Sequence, residues 1–121
     1  SDFESTVDRK INYPVDIIHT EDALLFEIAA VGLEKNDIDL QVEDGNCLKV
    51  SYTKPKIESN NSDIDAGTYI HRGIAKRSFD LGWKISPKFD LTKIKASMEN
   101  GLLKIEIPVT PESRPKMITI K

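Results

Sequence analysis

The residue types that most often carry out catalysis are sparse in this chain. Its only histidines are His19 and His71, and neither lies at a spacing typical of metal ligands. The sequence contains no Gly-x-Ser-x-Gly elbow, no His-Glu-x-x-His pair and no glycine-rich phosphate loop. Cys47, the single cysteine, is expected in an exposed hairpin position on the polar face of its strand, where nothing evident would activate a thiolate. We therefore predict that the protein is not an enzyme and needs no cofactor.

One acidic stretch has the oxygen donors of a metal site. Asn61, Asp63 and Asp65 alternate as the first ligands of a calcium loop do. The glycine that such a loop needs falls one position late, at Gly67, and Arg72 stands where the bidentate glutamate belongs. The sequence therefore predicts no metal.

The charge balance and the apolar content exclude further classes of function. Seventeen basic and twenty acidic residues give a net charge of −3, scattered along the chain, so no nucleic-acid surface is expected. The basic run at 72–77 is short and fits a solvated strand face. No apolar run approaches the ~20 residues that span a membrane, and from the polar start at 1–4 we expect no signal peptide. A single cysteine indicates a reducing compartment, so we expect a cytoplasmic protein.

Alternation of apolar and polar residues with period two is the dominant pattern, and it predicts strands with one buried face. Asp44-Gly45-Asn46 and Asn100-Gly101 are predicted as hairpin turns, because glycine and asparagine accept a positive φ. Only Asp90–Lys93 suggests a helical turn. Strands are predicted at 15–17, 24–31, 38–43, 47–53, 79–85, 94–98 and 103–107. Short strands at such spacing indicate an all-β fold, an immunoglobulin-like antiparallel β-sandwich.

Two segments interrupt the strand pattern. A long polar stretch begins at Lys54 and ends in the strand-like residues Thr68 to His71. The second segment follows Pro108 and is kept extended by its prolines. We accordingly divide the chain into a short N-terminal arm, a sandwich domain that carries a loop, and a C-terminal extension, at 1–12, 13–108 with the loop 54–74, and 109–121.

Three features suggest binding of other polypeptides through strands. Tyr69 and Ile70 could add an edge strand to a second copy, or belong to their own sheet. Ile118 and Ile120 share one face and could fill two holes elsewhere, or close their own sheet. Two apolar rows could border a groove at the sandwich edge, or be plain core; these are Ile38, Leu40, Val42 and Ile94, Ala96, Met98.

Several stretches together resemble the small heat-shock, or α-crystallin, family. Residues 96–103 resemble its A-x-x-x-N-G-[LV]-L motif, and Ile118-x-Ile120 matches its C-terminal I-x-I motif. Residues 32–38 resemble its Gly-Leu-x-x-x-Asp-Ile stretch, and 73–79 its Gly-x-x-x-Arg-x-Phe strand. The motifs occur in the family's order over about 13–120. The long loop resembles that of the bacterial and plant members, in which it exchanges a strand between protomers.

The resemblance implies an ATP-independent chaperone that holds unfolding client proteins and assembles from homodimers into larger oligomers. It implies a dimer interface at Tyr69, Ile70, His71 and Arg72, and a groove at the two apolar rows that receives the Ile118 and Ile120 of another chain. The alternative is a co-chaperone-like sandwich of the CS type, which binds one specific partner. A third class, a β-sandwich enzyme or carbohydrate-binding module, would show clustered exposed aromatic or acidic residues, which are not evident here.

Overall fold

The computed structural model describes residues 13–55 and 77–121, together with the backbone of residues 3–5. Its strands form two four-stranded antiparallel sheets. Sheet A has the order β1-β6-β5-β4, and sheet B has the order β2-β3-β8-β7. The strands are β1 Phe3–Ser5, β2 Val15–His19, β3 Ala23–Ala29, β4 Asp39–Glu43, β5 Cys47–Tyr52, β6 Phe79–Ile85, β7 Lys95–Glu99 and β8 Leu102–Pro108.

Both predicted hairpins are present, and their turn residues explain their register. Asp44 and Gly45 have φ of 54° and 74°, and the turn places Glu43 opposite Cys47. Asn100 and Gly101 have φ of 51° and 76°, as a two-residue turn with left-handed residues requires. The second turn places Glu99 opposite Leu102, which sets the facing of every residue on β7 and β8.

The core lies between the two sheets and is built from the inward-facing residues of the alternating strands. Phe26 on β3 packs against Trp83 on β6, with ring centroids 4.8 Å apart, and so links an inner strand of sheet B to an inner strand of sheet A. The residues that form this core are Leu24, Phe26, Ile28, Ala30, Leu48, Val50, Tyr52, Phe79, Leu81, Trp83, Ile85, Phe89, Leu103, Ile105, Ile107 and Val109. The predicted all-β sandwich is confirmed by this two-layer arrangement.

The end of the core lies beyond the last strand, at Val109. Val109 is buried and forms an isolated bridge with Phe89, and its N–H donates to the carbonyl oxygen of Asp22 at 2.8 Å. Val109 therefore packs with the body of the sandwich, and the 3-10 turn Pro111–Ser113 follows it. Pro108 does not mark the end of the packed body, because it occupies the final position of β8, where its missing N–H costs little.

Three sequence predictions differ in detail from the structure. Val31 lies beyond β3 and is exposed, because the chain turns at Gly32, whose φ is 80°. Cys47 is partly buried rather than exposed, since it lies on the inner strand β5 between Glu43 and Lys84. The predicted turn at 90–93 is a 3-10 turn over Leu91–Lys93. Among the described residues, no helix is long and apolar enough to cross a membrane.

Candidate binding groove

Two outer strands, one from each sheet, border an apolar groove. β4 is the last strand of sheet A and β7 is the last strand of sheet B. The groove has a volume of about 160 Å³ and is lined by Lys35, Ile38, Leu40, Ala96, Ser97, Met98 and Leu103. An apolar opening between two outer strands suits an extended segment that presents side chains at every second residue.

A short capped turn positions the β4 side of the groove. The 3-10 turn Lys35–Asp37 has a capping box with Glu34, in which the Glu34 N–H donates to Asp37 Oδ2 at 2.8 Å. The turn ends at Ile38, whose backbone is extended and enters β4. Ile38 and Leu40 therefore face the same way, and both pack partly against the core while keeping one side at the groove.

The second hairpin positions the β7 side. Its register places Ala96 opposite Ile105 and Met98 opposite Leu103, so the groove floor rests directly on the core. Ala96 is small and exposed, and it leaves room above the sheet. Met98 is half-buried, and its flexible side chain can adapt to an incoming group.

Four of the six predicted groove residues lie together, and two do not. Val42 is exposed near the hairpin end of β4, beyond the groove lining. Ile94 ends the 3-10 turn before β7 and packs partly against the core. In that turn the hydroxyl and N–H of Thr92 donate to Asp90 Oδ1, and the hydroxyl contact is the main reason why the pKa of Asp90 is lowered.

Three lining residues were missing from the sequence-based set. Leu103 could have been found from the hairpin, because the Asn100-Gly101 turn dictates that it lies opposite Met98. Lys35 and Ser97 carry no apolar pattern, and they reach the groove because of the turn before β4 and the backbone of β7. The groove thus has a polar rim over an apolar floor.

The C-terminal segment leaves the sandwich and does not enter this groove. After the 3-10 turn Pro111–Ser113, Arg114 has an extended backbone, and residues 115–121 belong to no strand. Ile118 and Ile120 are almost fully exposed. The alternative that these isoleucines close the chain's own sheet therefore has no pairing to support it.

A larger concavity lies on the outer face of sheet B, but it has a different character. Its volume is about 680 Å³, and its lining includes Glu27, Lys95, Lys104 and Glu106. Lys104 also lies 3.1 Å from Glu99 as an ion pair. Charged side chains across the opening make this surface less suited to an aliphatic segment than the groove between β4 and β7.

The predicted dimer-interface residues 69–72 lie outside the described residues, but the base of their loop is described. The Lys54 N–H donates to Ser78 Oγ at 2.7 Å and joins the two ends of the loop. Tyr13 packs on Phe79 with ring centroids 4.6 Å apart, and Arg77 Cζ lies over the Tyr13 ring, 5.4 Å from its centroid. The loop therefore emerges next to the chain that enters β2.

The described part of the chain contains no group of three histidine, cysteine or acidic residues that could hold a metal ion. Its functional geometry consists instead of two strand edges, an apolar groove and an exposed apolar segment. Such an arrangement can receive an extended polypeptide segment.

Comparison with known proteins identifies the family. Residues 16–121 match the Hsp20/alpha crystallin family, and the chain belongs to it. The chain is 32% identical over 109 residues to the 17.6 kDa class I heat shock protein 3 of Arabidopsis thaliana, covering 90% of this chain and 67% of that protein. It is 35% identical over 96 residues to the 16 kDa heat shock protein B of Azotobacter vinelandii, covering 78% of this chain and 59% of that protein.

Solved structures of small heat-shock proteins share the fold. A small heat-shock protein from Xylella fastidiosa superposes with a TM-score of 0.67 at 23% identity, covering 92% of this chain and 97% of that chain. Heat shock protein 16.0 from Schizosaccharomyces pombe gives 0.66 at 23% identity, covering 95% and 87%. The predicted family is confirmed, and it is a family of small heat-shock chaperones rather than a family of enzymes. The chain spans about two thirds of the length of its plant relatives.

Proposed function

We propose that the protein is an ATP-independent holdase that binds unfolding polypeptides and assembles from homodimers through its C-terminal segments. The observation that carries this proposal is the coexistence of an apolar groove with an exposed Ile-x-Ile segment in one chain. A surface that can receive aliphatic side chains and a segment that can supply them allow identical chains to link to one another. The same groove can receive extended apolar segments of a client.

The energetics favour weak, reversible contacts. Burying two isoleucine side chains contributes at most roughly 3–6 kcal/mol, and the loss of translational and rotational freedom offsets much of that gain. One tail in one groove is therefore a transient contact. Several such contacts between linked chains hold an assembly through a high effective concentration. Warming can then release segments and uncover grooves while the core of the sandwich stays folded.

Strand exchange through the 54–74 loop is the proposed route to the dimer. β2 is the outer strand of sheet B among the described strands, and the base of the loop lies beside the start of β2. An outer strand offers unpaired backbone groups, which a strand from a second copy can complete. Residues Tyr69, Ile70, His71 and Arg72 would supply that strand.

Deleting residues 60–72 tests this dimer. The deletion removes the exchanged strand and leaves the described core residues in place, so we expect folded monomers by size-exclusion chromatography with light scattering. Dimers of unchanged stability would contradict the proposal and place the interface elsewhere. A deletion of 59–65, which keeps Tyr69 and Ile70, serves as the control for shortening the loop.

Chaperone action can be tested with a heated model client. Because the sequence contains no phosphate-binding loop, equimolar protein should suppress client aggregation equally with and without ATP. A requirement for ATP would overturn the holdase proposal.

The Xylella fastidiosa relative is described as having a high-order structure, which is compatible with larger assemblies here. The single, partly buried cysteine is compatible with a cytoplasmic location.

A further inference from the structure

Hydrogen bonds and an ion pair hold the chain to the sandwich just before the C-terminal arm, residues 115–121, begins. Val109 and Thr110 lie between two loops, because their N–H groups donate to the carbonyl oxygens of Asp22 and Lys88, each at 2.8 Å. The chain then makes the 3-10 turn Pro111–Ser113. After the turn, Arg114 Nη1 lies 3.3 Å from Asp22 Oδ1 and forms an ion pair.

This ion pair brings the start of the arm to one particular side of sheet B. Asp22 belongs to the turn between β2 and β3, whereas the groove lies beyond β7, the strand at the opposite edge of the sheet. Two inter-strand steps separate β3 from β7. Arg114 therefore holds the arm on the far side of the sheet from the groove of its own chain.

The remaining length of chain decides what the arm can reach. Two strand spacings of about 4.8 Å, combined with three to five residues along the sheet, put the groove roughly 15–20 Å from Asp22 in a straight line. Four extended residues from Arg114 to Ile118 span at most about 14 Å, and six residues to Ile120 span at most about 22 Å. With Arg114 held at Asp22, only a fully stretched arm would bring Ile120 to the groove, and Ile118 would stop short of it. With Arg114 released and Pro111–Ser113 kept as a 3-10 turn of about 2 Å per residue, the eight residues from Thr110 to Ile118 would span up to about 24 Å, so both isoleucines could reach the groove.

We infer that the Asp22–Arg114 ion pair is a positioning contact that keeps the tail out of its own groove and directs it to another chain. With the pair formed, Ile118 and Ile120 are presented outward and their own groove stays open. With the pair broken, the tail can fold back and occupy its own groove, so that both linking elements are lost at once. This inference rests on the proposed groove-to-tail assembly and adds the residues that choose between linking and self-docking.

The test is Arg114→Gln in the full chain, measured by light scattering over a range of protein concentrations. The ion pair is exposed, so its loss should raise the concentration at the midpoint of assembly by about two- to fivefold per tail contact. Asp22→Asn should act in the same direction. Lys116→Gln, which removes the same charge two residues further along the arm, should leave assembly unchanged.

Two further measurements separate positioning from a merely structural effect. Exchanging the charges, with Asp22→Arg and Arg114→Asp together, should restore the wild-type midpoint. A synthetic peptide with the sequence of residues 115–121 should bind Arg114→Gln more weakly than wild type, because the chain's own tail competes for the groove. The difference between wild type and Arg114→Gln should shrink in about 1 M NaCl, where the screening length falls to about 3 Å.

The outcomes distinguish this inference from the proposed function. If Ile118→Gly with Ile120→Gly reduces assembly while Arg114→Gln and Asp22→Asn assemble as wild type, the positioning role is wrong and tail docking stands. If the double glycine variant assembles normally, tail docking fails and the positioning role fails with it. If the charge exchange does not restore an altered midpoint, the ion pair is not the cause and the inference is overturned.

Discussion

The chain contains two Ile-x-Ile segments, one buried in the core and one exposed to solvent. Ile105 and Ile107 on β8 are 1% and 0% exposed, whereas Ile118 and Ile120 in the extension are 84% and 93% exposed. Both pairs place two branched aliphatic side chains on one face of an extended backbone. The same local pattern therefore serves the interior in one place and the surface in the other.

The difference arises from what lies on either side of each segment. β8 pairs with β3 and β7 through its backbone, and its isoleucines meet the second sheet. The extension follows Pro111 and Pro115, which lack the N–H groups of a strand ladder, and no strand pairs with it in the described part of the chain. An apolar pattern thus identifies a face that is stabilised by burial. The adjacent strands determine whether residues of the same chain bury it.

The largest effect is expected from the buried pair. Ile105→Ala removes a fully enclosed side chain and should lower the free energy of unfolding by about 2–5 kcal/mol. The melting temperature, followed by circular dichroism, should fall by about 10 °C or more. Ile118→Ala is the matched control and should leave the melting temperature unchanged. Equal losses for the two variants would show that the extension is part of the folded body.

The exposed pair should affect assembly instead of folding. Ile118→Gly with Ile120→Gly removes two side chains and the preference for extended backbone together. We expect assemblies to fall toward dimers in light scattering, while the free energy of unfolding changes by no more than about 0.5 kcal/mol. A melting temperature lowered by several degrees with unchanged oligomer size would contradict the tail proposal.

The groove itself can be altered without disturbing the core. Ala96→Glu places a charge on the exposed floor, where a docked isoleucine would strip its water, so tail-linked assembly should weaken at least about tenfold. Folding should be nearly unaffected, because Ala96 is exposed. Gln41→Glu adds the same charge on an exposed β4 residue outside the groove lining and is the control. Normal assembly of Ala96→Glu would show that the tail does not bind in this groove.

The smallest effect concerns the sandwich body alone. The Tyr13 hydroxyl donates to the carbonyl oxygen of Ala29, and burial raises the pKa of Tyr13 although the charge of Arg77 opposes this. Because the folded state favours the neutral phenol, its contribution is complete below the ordinary pKa of about 10 and is lost as the pH rises through the folded value.

Tyr13→Phe should lower the free energy of unfolding by about 1 kcal/mol at neutral pH. Its urea midpoint should then fall less steeply above pH 10 than that of wild type, while assembly at neutral pH is unchanged. A steeper alkaline loss in Tyr13→Phe than in wild type would contradict this role of the hydroxyl.

The strands and hairpins were predictable because each depends on a short stretch of sequence. The alternation at 38–43 and 47–53 defines buried faces, and the Asn100-Gly101 turn determines the register of the hairpin that it joins. The grouping of Ile38, Leu40, Ala96 and Met98 in one groove followed from the family resemblance, because the apolar pattern by itself also fits a plain core.

The remaining features depend on contacts between distant residues, which local patterns do not contain. β1 covers the outer side of β6, yet Phe3–Ser5 has no alternation to identify it as a strand. Val109 joins the core because Phe89 and Asp22 hold it, and Arg114 meets Asp22 across 92 positions of sequence. Val42 shares the pattern of Ile38 and Leu40 but lies beyond the reach of the groove.

The most direct test of the account is to locate the tail on the surface by NMR. A synthetic peptide of residues 115–121 is titrated into the 121-residue chain that carries both Ile118→Gly and Ile120→Gly, so that its own tail lacks the isoleucines that would compete for the groove. We expect weak binding, with a Kd of about 0.1–1 mM, and backbone shifts concentrated at Leu40, Ala96 and Met98. A peptide with glycine at both isoleucine positions should cause none. Shifts on β2 or on the outer face of sheet B, or no saturable shifts at all, would contradict the central claim that the tail docks between β4 and β7.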